Sequence, residues 1–129
     1  MGNGFDDIAN KLDAALSQIV RKTALDGQAN IQRHIQSNDQ VDTGKMLNSV
    51  YVKTADESTY KGGEDILPEV EAPPDNKTAY IGVGASYAIF QNYGTRFMPG
   101  RPFFEPGIEE TRQGFEAAIA RVESILGGQ

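Results

Sequence analysis

Cysteine is absent from the chain and histidine occurs once, at His34. Without thiolates there is no disulfide framework and no cysteine zinc site, and one imidazole leaves histidine-based metal or triad chemistry short of parts. Neither a cofactor nor a metal is expected. No apolar run reaches the length of about 18 residues that a membrane span needs, so no contact with a membrane is expected. The opening Met1-Gly2-Asn3-Gly4-Phe5-Asp6-Asp7 also lacks the basic-then-apolar layout of a secretory signal. The chain therefore reads as a soluble intracellular product. Its 129 residues suit a single domain, 1–129, with one modest core, which leaves no room for a second, catalytic domain. Internal repeats are missing too.

What is present in excess is acid. The formal charge of −6 disfavours binding that works by neutralising phosphates and favours protein partners. Residues 55–79 hold seven acids and two lysines, a net −5, so the rest of the chain is nearly balanced. Within that stretch Gly62-Gly63, Pro68 and Pro73-Pro74 interrupt any period, and the composition cannot order itself alone. Residues 55–77 are expected to form a mobile acidic loop.

Apolar residues recur at Ile8, Leu12, Leu16, Ile19, Ile31 and Ile35, with Thr23 and Gly27 in the same phase, which predicts one amphipathic helix over 5–36. Asp6 and Asp7 suit its positive end, and Arg33 and His34 its negative end. At 1.5 Å per residue it is a rod of roughly 45 Å, longer than a compact domain of this size needs, so part of it should meet another subunit. Gly27 is its weak point and the place for a kink. Asp42 or Thr43 can cap a helical turn, Val50–Thr54 alternates as a strand, and Thr78–Ala85 makes a second strand able to pair with it. Ser86 can cap a short helix that Tyr93-Gly94-Thr95 closes. Pro106 fits the first turn of a last helix over 106–126, with the stripe Ile108, Arg112, Phe115, Ile119, Val122 and Leu126. The sum is an α+β fold: a long N-terminal helix, a small antiparallel β-sheet, and a C-terminal helix packed on the sheet.

Three local patterns invite chemistry, and each has a plainer explanation. Asp42-Thr43-Gly44 matches the tripeptide of aspartic proteases, where a homodimer would supply two copies. Here Lys45-Met46-Leu47-Asn48-Ser49 follows instead of an apolar strand, so a capped structural turn at Asp42, Thr43 and Gly44 is the better account. Gly82-Val83-Gly84 lacks the third glycine and the parallel βαβ unit of a dinucleotide site. The acids do not single out a general acid and base. No catalytic residues are assigned, and the chain is not expected to be an enzyme. Tyr87, Phe90, Tyr93, Thr95, Arg96, Phe97, Met98, Arg101, Phe103 and Phe104 mix aromatics, methionine and arginine in the proportions of a protein interface. For Phe103 and Phe104, packing in the chain's own core is an equal alternative.

Two blocks carry a resemblance: Val41-Asp42-Thr43-Gly44-Lys45-Met46-Leu47-Asn48-Ser49-Val50, and Tyr87-Ala88-Ile89-Phe90-Gln91-Asn92-Tyr93-Gly94-Thr95 followed by Arg101-Pro102-Phe103-Phe104. In order and spacing they resemble the phage gene-ten-like tail-component family of lambdoid siphophages. That family has a long first helix, a "VDTG-basic-Leu-x-x-Ser" turn, a "Tyr-Ala-x-x-x-Glu-Tyr/Phe-Gly-Thr" helix and a "ΦxxRPFxxPA" lead into the last helix. The chain departs from it at Gln91-Asn92, where members often carry an acid before the aromatic, and in its acidic stretch.

The resemblance implies a structural virion protein of the head-tail junction, a neck or tail-completion subunit made in the host cytoplasm. It would act by forming a ring with itself, six-fold or twelve-fold, beside the head connector and the tail tube or terminator proteins. DNA would pass nearby without being specifically bound. Asp56, Glu57, Glu64, Asp65, Glu69, Glu71 and Asp75 of the acidic loop would face the lumen or a partner, repelling DNA. Deleting residues 58–75 would then spare folding and impair assembly. The competing readings are a small intracellular adaptor, monomeric or dimeric, and a retropepsin-like protease with Asp42 on its two-fold axis.

Overall fold

The computed structural model describes residues 3–38 and 43–127. In chain order they form helix α1 (Asn3–Ser37), helix α2 (Thr43–Asn48), strand β1 (Val50–Lys53), strand β2 (Tyr80–Val83), helix α3 (Ala88–Tyr93) and helix α4 (Phe104–Gly127). The expected class, α+β, is the one observed. The expected turn cap at Asp42 lies outside the described residues, and so does any account of the Thr43 side chain.

Helix α1 runs unbroken through Gly27. The glycine sits where three elements meet: a Cβ there would lie 2.4 Å from Ile81 Cδ1 of β2 and 3.3 Å from Thr111 Cγ2 of α4. The helix-propensity cost of glycine is thus offset by a close approach, and the helix does not break there. The same face of α1 continues into Ile31 and Ile35, which are fully buried in a cluster with Met46, Val50, Ala85 and Phe103.

Strands β1 and β2 pair antiparallel, Val50 opposite Val83, Tyr51 opposite Gly82, Val52 opposite Ile81 and Lys53 opposite Tyr80. The two-residue period sends Val50, Val52, Ile81 and Val83 to one face and Tyr51 and Lys53 to the other. The first face lies on α1. Helix α1 therefore covers the sheet, and α4 lies antiparallel along α1: Gly107 meets Ile31, Thr111 meets Gly27 and Asn30, and Glu110 meets Arg33 and His34. The C-terminal helix reaches the sheet side of the core through Phe104 and Ile108, which pack against the same cluster as Ile81 and Val83. Its pairing with α1 was not foreseen, because a stripe on a helix says how wide the buried face is and not what covers it.

The acidic segment is fastened to the other face of the sheet. Thr59 donates its N–H to Val52 O at 2.9 Å, and its hydroxyl accepts the Val52 N–H at 2.9 Å. The Tyr51 and Tyr60 rings stand edge to face with centroids 5.0 Å apart. The Tyr60 hydroxyl donates to Leu67 O at 2.7 Å, and Val70 donates its N–H to the Tyr51 hydroxyl oxygen at 3.3 Å. Lys53 pairs with Glu69 at 2.8 Å, in a site where both side chains are largely covered. Farther on, Leu67 donates to Gly84 O and Ser86 to Asp65 O, at 2.7 and 2.8 Å. The composition of 55–77 forbids order in isolation, but here the sheet supplies the partners. The segment expected to be a mobile loop thus has several of its polar groups bonded to β1 and to the residues after β2.

Candidate assembly surface around helix α3

Helix α3 is short, and its two ends are set by different means. Tyr87 is its N-cap with no side-chain cap bond, so the expected cap at Ser86 is not formed. Gly94 ends it as expected, at φ 84°, donating its N–H to Phe90 O. A Cβ at Gly94 would lie 2.4 Å from Gly100 N, and one at Gly100 would lie 2.5 Å from Gly94 N. Two glycines in backbone contact thus pinch off a tight tip between them. Inside it Thr95 N–H bonds to Met98 O at 2.8 Å, and the Thr95 hydroxyl oxygen accepts the Phe97 and Met98 N–H groups. Behind the tip, Arg101 N–H bonds to Gln91 O at 2.9 Å.

The helix has an inner and an outer side. Ala88 and Asn92, four residues apart, are buried. The amide oxygen of Asn92 accepts the N–H groups of Phe103 and Phe104, while its amide nitrogen donates to Glu105 Oε1 at 2.8 Å. A side chain of α3 thereby caps α4. Glu105 also accepts the Tyr93 hydroxyl, and these bonds, Tyr93 first and Asn92 second, hold its carboxyl below the ordinary glutamate range. The same carboxylate pushes the Tyr93 phenol upward.

On the outer side Ile89, Phe90 and Tyr93 face solvent, and the tip adds Phe97, 80% exposed, and Met98, 65% exposed. The Arg96 guanidinium lies over the Phe97 ring at 4.7 Å from its centroid. Large apolar side chains are thus gathered on one outer face, an arrangement typical of interaction surfaces in general. A shallow groove of about 260 Å³ runs between this face and β2, lined by Ile81, Val83, Ile89, Tyr93 and Phe104. Among the described residues no strand pairs with the outer edge of β2 beside it. Because Val52 turns its backbone groups to Thr59 and Gly84 bonds to Ser49, Ile81 and Val83 direct theirs away from β1.

Of the sequence-chosen interface residues, Phe90, Tyr93, Thr95, Arg96, Phe97 and Met98 come together in the open, and Tyr87 and Phe104 are half-buried. Arg101 is exposed but reaches back to Asn38 O through Nη1. Phe103, 1% exposed, lies in the core cluster, the alternative given for it above. Of the acids, Glu57 pairs with Arg21, Asp65 with Lys45 and Glu69 with Lys53. Asp75 accepts the Lys77 N–H and the Thr78 hydroxyl, while Asp56, Glu64 and Glu71 are exposed. Sequence reasoning missed Ile89, Asn92 and Glu105. Asn92 had one signal, since it occupies the acidic position of the aromatic helix motif. Among the described residues no group of His, Asp or Glu side chains is arranged to hold a metal, and no helix is long and apolar enough to cross a membrane.

A model of the family described as "Bacteriophage HK97-gp10, putative tail-component" matches residues 1–94, from the start of the chain to the end of α3. The chain belongs to that family. The match takes in the long helix, the α2 turn, both strands and the aromatic helix, and the tip and α4 follow it. In this tail-component chain the outward face of α3 therefore lies inside the shared span, and Arg96, Phe97 and Met98 lie just beyond it. No curated protein and no solved structure gives a match.

Proposed function

We propose that this phage tail component is a structural subunit of the head-tail junction that works by closing into a ring, as a neck or tail-completion protein of the virion. One observation carries the proposal: a backbone-braced tip presents Phe97 and Met98 to solvent beside Phe90 and Tyr93. A rigid apolar anchor loses little conformational freedom when it docks, which is how a few residues dominate an interface. The open edge of β2 gives the same face main-chain groups that a neighbour can complete. The partners are further copies of the chain, with six-fold or twelve-fold symmetry expected from the family resemblance, and the head connector and tail tube or terminator proteins above and below. DNA passes close by without a specific contact.

The test is assembly. Purified chain is mixed with the phage's own head connector or tail-tube protein and the complex is sized by light scattering, with Phe97→Ala/Met98→Ala in parallel. A ring-sized complex that the double variant cannot form supports the proposal. A protein that stays a small, stable dimer and ignores both partners contradicts it.

A further inference from the structure

The acidic segment offers an apolar surface of its own. Leu67 and Val70 are 51% and 44% exposed, yet their backbones are tied to the Tyr60 and Tyr51 hydroxyls, so the two side chains stand on a braced tyrosine pair. Acids surround them: Glu69 is paired with Lys53 and Asp65 with Lys45, whereas among the described residues Glu64 and Glu71 have no ion-pair partner. The tip of the chain is the complement of this surface. It is apolar at Phe97 and Met98, cationic at Arg96, and among the described residues no carboxylate pairs with Arg96.

Resting on the ring reading above, we propose that the Arg96-Phe97-Met98 tip of one copy docks on the Leu67/Val70 platform of the next, with Arg96 drawn between Glu64 and Glu71. The occupant is a second copy of this chain, chosen by charge: residues 55–79, which hold the platform, carry −5 of the chain's net −6, and the tip is basic. Tip and platform are different surfaces on different elements. A contact between unlike surfaces is head-to-tail, and repeats until the rotation closes. The acids of this segment thus face a neighbour, and the lumen role is not needed to explain them.

The absence of native cysteine makes the contact directly testable. Two full-length variants, Phe97→Cys and Val70→Cys, are mixed under the assembling conditions in a glutathione buffer, with exposed Ala120→Cys as the control. Mixed 97-to-70 dimers should exceed either same-site dimer and any 120-containing dimer by about tenfold, the signature of a specific heterologous contact. The combined Phe97→Cys/Val70→Cys chain should give a ladder of covalent oligomers. Same-site dimers in excess, or pairing no faster than the control, would overturn the contact. A second measurement uses charge: Arg96→Glu, and separately Glu64→Lys/Glu71→Lys, should each raise the concentration needed for assembly about tenfold, and the triple variant should recover most of that loss. A triple variant worse than either parent overturns the pairing. Rings that form without these cross-links defeat this contact and leave the ring reading standing, whereas wild-type chain that never assembles with connector or tube defeats both.

Discussion

The side-chain oxygen of Asn92 accepts the backbone N–H of Phe104 at 3.0 Å, and that of Phe103 at 2.9 Å, from a site that is 3% exposed. The first turn of a helix has N–H groups with no internal partner. Here the partner comes from a different helix, so α3 and the start of α4 are one unit, with the exposed tip between them.

Asn92→Ala should therefore lower the unfolding free energy by about 1–3 kcal/mol, the cost of leaving buried donors unmet. Urea denaturation reads it, and an unchanged midpoint would remove the cap from the account. Asn92→Asp keeps the acceptor but sets a second carboxylate against Glu105. Its deficit should be largest near neutral pH and shrink as acid protonates one of the pair.

Two glycines of α4 should respond with opposite signs to alanine. A Cβ at Gly107 would come within 3.0 Å of the Ile31 Cα and backbone nitrogen, whereas one at Gly114 meets nothing within 4 Å. Gly107→Ala should separate the two helices and destabilise by about 1–3 kcal/mol. Gly114→Ala should stabilise by about 0.5–1 kcal/mol through helix propensity alone. Equal responses in thermal melts would mean that α1 and α4 are not packed as described.

The sequence made the helices legible because their periods are long: 5–36 and 106–126 differ from α1 and α4 only at the ends. The strands and the aromatic helix were readable for the same local reasons. Partners were not readable. Nothing in the residues around Gly27 says that Ile81 and Thr111 will crowd it, and nothing around His34 says that Glu110 will meet it. The acidic segment shows the same limit: its composition describes a chain in water, and its order depends on Tyr51, Lys53 and Gly84 elsewhere. At the candidate site, residue types singled out Phe97 and Met98, which are exposed, and equally Phe103, which lies in the core with its N–H bonded to Asn92, and type alone does not separate them.

Amide exchange should show the acidic segment to be structured in part. The N–H groups of Thr59 and Leu67, bonded to Val52 and Gly84, should exchange far more slowly than that of exposed Glu71, which has no such bond among the described residues. Deleting 58–75 should cost about 2 kcal/mol or more, since it strips the covering from the buried Tyr51 ring. A deletion variant as stable as the parent would restore the view that the segment is dispensable for folding.

Acid should weaken the fold through the paired carboxylates. The carboxyls of Glu105, bonded by Tyr93 and Asn92, and of Glu69, bonded by Lys53 and Ser58, are held below their ordinary range. A lowered folded value means stability that is complete above the unfolded pKa of about 4.3 and is lost as pH falls through the folded value. Tyr93→Phe should lower the plateau of stability between about pH 5 and 8 and flatten the acid slope in part, since the Asn92 bond to Glu105 remains. A slope as steep as the parent's would show that the Tyr93 bond does not form in solution.

The central claim is that this family member builds a ring at the junction, and the mass of the assembled species tests it most directly. Light scattering on the purified chain, alone and then with the phage's head connector or tail-tube protein, should show a small species that becomes ring-sized on addition of one of them. A mass that stays at monomer or dimer with both present would contradict the account.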